Sequence, residues 1–299
     1  MEPEGRDTGA DAGGEVREAD GGREADSGRG ADAGREWMDP GASLERIGID
    51  PATVDTPDLA TLDRLQAAHV RTVPFENLSI VGDPYGDAGG EGVDLSVPAA
   101  YRTVVDRGLG GYCFELNGLF GWLLSSLGYD VDRVAARVTS GLTVPANHHA
   151  LVVTLDRRYV VDVGCGTPPM RVPTPLDGTP PTDGAGVEWR VVTSDRPDAT
   201  HLAQVRVPGE AEWSDRYVFT DRPRDLDYFA AANDYLQSAP ESPFTGDPVV
   251  NVATDDGWQK LSDETLTEVA GGEERERTVT GEEWYETVRE EFGIEYEWR

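Results

Sequence analysis

Two cysteines and four histidines bound the covalent chemistry open to this chain of 299 residues. Cys113 stands in Gly110-Gly111-Tyr112-Cys113-Phe114-Glu115-Leu116-Asn117. Beyond it Leu116, Leu119, Phe120, Leu123, Leu124 and Leu127 recur at helical steps, and Gly128 follows as a stop. The spacing predicts a helix whose first turn carries Cys113 on its apolar face. A thiol there feels the positive end of the helix dipole, which favours thiolate. The two glycines upstream let the backbone approach a substrate closely. A free cysteine is also a common small core residue, and position alone leaves both roles open.

A nucleophilic cysteine needs a base, and the base needs an orienting group. His148-His149 precedes two β-branched runs, Ala150 to Leu155 and Tyr159 to Val163, that flank Asp156-Arg157-Arg158 as a hairpin. Asp162 lies within the second run, and a carboxylate buried there requires a partner. Cys113, His148 or His149, and Asp162 are therefore a candidate nucleophile, base and orienter. Cys165 lacks a helix start and lies close to Asp162 in sequence, so a pocket wall is favoured for it over a second nucleophile. His69 and His201 have no ligand-type neighbours and read as structural; the cysteines give neither a disulfide framework nor a zinc pattern, and no metal is expected.

The elements that must hold these residues follow in two blocks. Residues 1–41 are acidic, repetitive and nearly free of large apolar side chains, and read as a disordered tail. Over residues 42–128 the period is helical. Thr56-Pro57 opens a helix through Leu59, Leu62 and Leu65 towards Val73-Pro74, and Ser96 with Pro98 opens another that Gly108 closes. Over residues 129–222 the pattern becomes strand-like, with runs at Trp189 to Val192, Ala203 to Val207 and Arg216 to Phe219 after the hairpin. Residues 223–299 are mixed, and Thr280 with Glu283 resembles a capping box before Trp284, Val288 and Phe292. Helices followed by strands define an α+β protein.

Composition narrows the partners. Acidic residues number 57 against 26 basic ones, a formal net charge of −31, and Lys260 is the sole lysine. Such a surface repels phosphate backbones and anionic membranes, so neither nucleic acid nor lipid is expected as a partner. Molar salt shortens the Debye length to about 3 Å and relieves the self-repulsion, which suggests a halophilic cytoplasm. No apolar run is long enough to cross a bilayer and no secretory leader is read, so a soluble, cytoplasmic protein is expected.

Four segments, in order, resemble the arylamine N-acetyltransferase family: Leu44-Glu45-Arg46-Ile47-Gly48, Val73-Pro74-Phe75-Glu76-Asn77-Leu78, Gly110 to Asn117, and Asp162-Val163-Gly164. Ser238 to Phe244 and Phe292-Gly293-Ile294 are similar to it more loosely. The resemblance implies a fold related to transglutaminases and papain-like proteases: a helical bundle, an antiparallel β-barrel and a small α/β lid. It implies Cys113 as nucleophile, His148 as base and Asp162 as orienter, with His149 as the alternative base. It also implies ping-pong transfer of acetyl from acetyl-CoA, a co-substrate, to small aromatic amines or hydrazines, with no permanently bound cofactor. Glu76, Asn77, Glu115 and Asn117 are expected to brace loops. The chain departs from the family pattern at Arg107-Gly108-Leu109, where arginine commonly adjoins the glycine pair, and at Cys165, which replaces an aromatic pocket residue. A CoA-binding enzyme of this charge also needs a local patch of arginine or helix N-termini near its cleft.

Overall fold

A computed structural model describes residues 37–141 and 144–296. The expected tail lies, as far as residue 36, outside the described residues. Order starts earlier than the expected boundary at residue 42: Asp39 caps α1 (Pro40–Arg46), its carboxylate accepting from the Gly41 N–H. Arg46 then donates to the carbonyls of Thr72, Val104, Gly108 and Leu109, fastening α1 to the loop that leads towards Cys113.

The helix expected to begin at Thr56-Pro57 begins two residues later. Asp58 caps α2 (Leu59–Thr72) through a 2.8 Å bond from the Thr61 N–H, so an aspartate with its N3 donor in reach prevails over the threonine-proline pair. There follow β1 (Phe75–Glu76), α3 (Leu78–Val81) and α4 (Val97–Tyr101), the last capped by Ser96 as expected and continued by one π-helical turn over Arg102–Asp106. α5 (Cys113–Ser126) is the long apolar helix, and Gly128 turns the chain at φ 90°. Its buried side chains join Leu62, Leu65 and Val104 in the first core.

Seven strands come next: β2 (Asp130–Val138), β3 (His148–Thr154), β4 (Arg158–Val161), β5 (Thr174–Pro175), β6 (Glu188–Thr193), β7 (His201–Arg206) and β8 (Ser214–Pro223). They form one antiparallel sheet in the order β5-β4-β3-β2-β8-β7-β6, whose edge strands meet, so the sheet nearly closes into a barrel. The β3–β4 hairpin pairs Leu151 with Val161 and Val152 with Val160. Both of its faces are buried. Ala150, Val152 and Val160 point into the barrel beside Trp189 and Phe219, while Leu151, Val153 and Val161 pack with α5. This two-sided burial explains the near-continuous run of apolar residues in the sequence.

After α6 (Ala230–Leu236), β9 (Val249–Ala253), β10 (Gly257–Ser262), β11 (Thr265–Ala270) and β12 (Glu273–Thr278) make an antiparallel meander, and α7 (Glu282–Phe292) packs on it. β1 supplies the outer strand of this second sheet, Phe75 pairing with Asn251. Asn77 reinforces the junction, accepting from the Val249 N–H at 2.7 Å and donating to the Phe244 and Asp247 carbonyls. The capping box expected at Thr280 is absent; Gly281 precedes the helix without a side-chain cap. Gly293 ends it in the left-handed conformation at φ 68°, as expected. Among the described residues no helix is long and apolar enough to cross a membrane.

Candidate active site

Cys113 is the first residue of α5, on a buried turn reached through the two glycines. The glycines also serve packing within the protein. A Cβ on Gly110 would lie 2.2 Å from the Pro74 carbonyl oxygen, and one on Gly111 would lie 2.9 Å from the Glu115 carboxylate. They let the turn close on Pro74 and β1, where the Glu76 N–H donates to the Gly111 carbonyl. Glu76 and Glu115 lie buried under this turn. Burial, and for Glu115 also the neighbouring Glu76, raises their pKa values to about 7 and about 8. Each braces backbone as expected, Glu76 accepting from the Leu78 N–H and Glu115 from the Tyr112 N–H.

The histidine pair is separated by strand geometry. Successive residues of β3 face opposite ways, so His148 and His149 diverge. His148 faces the barrel side with its Nε2 2.7 Å from Asp162 Oδ2, and its ring lies 5.0 Å from that of Tyr217. His149 faces the other way, between Phe114 and Phe229, with Nε2 against the Phe114 carbonyl. Burial drives the His149 pKa well below the ordinary histidine value, so it stays neutral. Burial also depresses His148, but the Asp162 carboxylate and then the Cys113 thiol outweigh it and hold the imidazole up to about 10. The structure therefore brings Cys113, His148 and Asp162 together and leaves His149 out.

Asp162 is fully buried just past the end of β4, and its carboxylate is shared among donors. Oδ2 takes His148, while Oδ1 accepts from Asn117 Nδ2 at 2.8 Å and from the Gly164 N–H at 3.0 Å. Asn117 also donates to the His149 carbonyl and accepts from the Val163 N–H. It lies four residues after Cys113, on the same face of α5. The sequence marks Asn117 as a brace, and its helical offset from Cys113 is the signal for this sharper role. Gly164 lets the hairpin end close on the helix, since a Cβ there would lie 2.7 Å from the Cys113 Cα.

Cys113 and His148 open onto a cavity of about 250 Å³. Its walls are Phe75, Val138, Leu236, Pro243 and Phe244, with Cys165, Arg216 and Tyr217 on one side. Cys165 is thus in the pocket wall, and burial pushes its thiol pKa up, away from thiolate. His69 is buried edge-on against Phe120, and His201 stacks on Phe219 away from the cavity. The strand run at Arg216 to Phe219 and the family-like segment Ser238 to Phe244 are visible in the sequence, but nothing there assigns Arg216, Tyr217, Leu236, Pro243 or Phe244 to the pocket. Their part in the pocket depends on strand and loop placement across the chain.

A buried imidazole bonded to a carboxylate, and a cysteine at a helix start sharing its pocket, define the class of thiol enzymes that carry an acyl group on sulfur. Residues 58–299 match the sequence model of a family described as N-acetyltransferase. The arylamine N-acetyltransferase of Mycolicibacterium smegmatis is 35% identical over 268 residues, covering 86% of this chain and 92% of that protein. The solved structure of the M. smegmatis protein superposes with a TM-score of 0.75 at 33% identity, over 86% of this chain and 93% of the other. The Mycobacterium marinum arylamine N-acetyltransferase, solved in complex with CoA, superposes with a TM-score of 0.74 at 29% identity, again over 86% and 93%. The chain belongs to the arylamine N-acetyltransferase family.

Proposed function

We propose that this chain is a soluble, cytoplasmic arylamine N-acetyltransferase that moves acetyl from acetyl-CoA to an aromatic amine, hydrazine or N-hydroxyarylamine through acetyl-Cys113. The observation that carries the reading is the 2.7 Å His148–Asp162 contact in the same pocket as Cys113. Family membership supplies the acyl donor; acetyl-CoA enters as co-substrate and no resident cofactor takes part.

In this mechanism Asp162 favours the protonated imidazole, so His148 takes the proton from Cys113. The sulfur attacks the thioester carbonyl, and the Cys113 N–H at the start of α5 faces the developing oxyanion. Collapse breaks the bond to the CoA sulfur, which leaves with the His148 proton. One thioester is exchanged for another, so the step is nearly balanced and reversible. An aromatic amine is largely uncharged at neutral pH and attacks acetyl-Cys113 directly. Its surplus proton passes to the neutral imidazole, the amide departs, and the imidazolium–thiolate pair is restored. Asp162 holds the ring in its working orientation, and Asn117 with the Gly164 N–H holds Asp162. The net charge of −31 further supports a protein adapted to concentrated salt.

The test is CoA release from acetyl-CoA in molar salt, with and without a panel of arylamines and hydrazines. Amine-dependent release that disappears in Cys113→Ala is expected. Release that ignores the amine would make the chain a hydrolase, and turnover retained in Cys113→Ala would sink the mechanism.

A further inference from the structure

Two carboxyls, Glu76 on β1 and Glu115 on α5, lie beneath the turn that carries Cys113, and the mechanism uses neither. Both are buried. Each is packed on one of the two glycines before the nucleophile. A Cβ on Gly110 would lie 2.7 Å from Glu76 Cγ, and one on Gly111 would lie 2.9 Å from Glu115 Oε2. In so close a fit a shift of either carboxyl displaces the turn. Glu76 Oε2 accepts from the Leu78 N–H at 2.6 Å, while Oε1 is buried without a hydrogen-bond partner. Glu115 Oε2 accepts from the Tyr112 N–H at 3.2 Å, which ties it to the residue before Cys113. A buried carboxylate so thinly bonded needs a counter-charge or a proton.

The surroundings supply no free counter-charge. Arg107 acts on both carboxyls, but it is paired with Glu91 at 2.8 Å and lies over the Tyr296 ring. Arg46 gives its donors to the carbonyls of Thr72, Val104, Gly108 and Leu109. Leu109, directly before the glycines, is apolar and buried. Tyr296 faces Glu76, and Tyr112 faces Glu115 with Cys113 and Asp234 beyond it; none of these is a cation. The two carboxyls also oppose each other, since a charge on Glu76 disfavours one on Glu115.

We infer that Glu76 and Glu115 are positioning residues that hold one proton as a pair, and that its loss in mild alkali displaces the turn of Cys113 and stops acetyl transfer. The device regulates the site described under the acetyl-transfer reading and rests on that reading. While the proton is held, the pair bears a single charge, and the glycine turn stays bonded to Pro74 and Glu76. When the proton passes to solvent, two like charges share one closed space. They separate by pushing on the glycines, which moves Cys113 relative to His148.

The test is kcat/KM for amine-dependent CoA release from pH 6 to pH 10 in molar salt, for the intact chain, Glu76→Gln and Glu115→Gln. Glutamine keeps the shape and stands for the protonated carboxyl. The upper ionisation of the pair lies at about 8, so the intact chain should lose about tenfold by pH 9. That is well before His148, held up to about 10, gives up its proton. Each glutamine variant limits the pair to one charge, and its rate at pH 9 should stay within about twofold of its own rate at pH 7. No fall by pH 9 in the intact chain would overturn the inference. So would a fall with the same midpoint in all three proteins, which is what bracing alone predicts. Infrared spectra of the intact chain give a readout that needs neither a folded variant nor activity. The carbonyl stretch of a buried protonated carboxyl should be present at pH 7 and lost by pH 10, and its absence at pH 7 would overturn the inference. If no amine supports CoA release, the acetyl-transfer reading fails, and the infrared titration still decides whether the pair holds its proton.

Discussion

Replacing Asn117 by alanine removes a fully buried amide that makes three bonds, to the Asp162 carboxylate, the His149 carbonyl and the Val163 N–H. The carboxylate bond is charge-assisted and contributes about 1.5–3 kcal/mol, while each backbone group left unsatisfied costs about 1–3 kcal/mol. The Gly164 N–H still holds Asp162 Oδ1 and limits the damage, so the net loss is about 3–5 kcal/mol. At roughly 2–4 °C per kcal/mol for a domain of this size, Tm falls by about 6–20 °C. Asp162 loses one of the two donors that orient it, His148 drifts, and kcat/KM for amine acetylation drops roughly 100-fold. Thermal unfolding in molar salt and CoA release from the same samples measure both effects. Asn117→Leu separates cavity from polarity, because it fills the volume without restoring a bond. A Tm within 2 °C of the parent chain, or recovery of stability in Asn117→Leu, would refute this assignment of roles to the amide.

Protonation and charge give two further outcomes. His148 is held up to about 10 against an ordinary 6.5, so the folded chain binds a proton that the unfolded chain releases across that window. The stability this contributes is full below about pH 6.5 and is lost as pH rises towards 10; Asp162→Asn should flatten the decline of Tm with pH, and an identical slope in both proteins would exclude His148 as its source. With a net charge of −31, the chain should unfold at a higher temperature in 2 M than in 0.05 M potassium chloride, and the reverse order would show that self-repulsion is not its main weakness.

The parts of the fold legible in the sequence are those whose periodicity is reinforced by burial. The apolar steps from Leu116 to Leu127 mark α5, and the β-branched runs around Asp156-Arg157-Arg158 mark β3 and β4. β12 reads Glu-Glu-Arg-Glu-Arg-Thr and is exposed throughout, so it carries no alternation that could announce a strand. β1 has two residues and exists because β9 and Gly111 flank it. Cys113 and Asp162 were readable as chemistry because each sits in a local pattern that demands explanation. The His148–His149 choice was not settled by such a pattern, since both faces of β3 are buried and both imidazoles are enclosed. Parity with the barrel-facing Ala150 and Val152 separates them, and that parity is a property of the sheet.

The pairing of β1 with β9 has a consequence for the order in which the protein can come into being. The bond from the Val249 N–H to Asn77 joins residues 172 apart in sequence, and the wall of the Cys113 cavity includes Leu236, Pro243 and Phe244. During synthesis the helix bearing the sulfur emerges early, while the surface that encloses it is among the last translated. A nascent chain ending before α6 carries its nucleophile without the Leu236, Pro243 and Phe244 wall, and Phe75 and Glu76 without the strand they pair with. Closing so long a loop is slow compared with forming local helices. Thiol reactivity on the ribosome should therefore respond to general alkylating agents well before it responds to acyl-CoA.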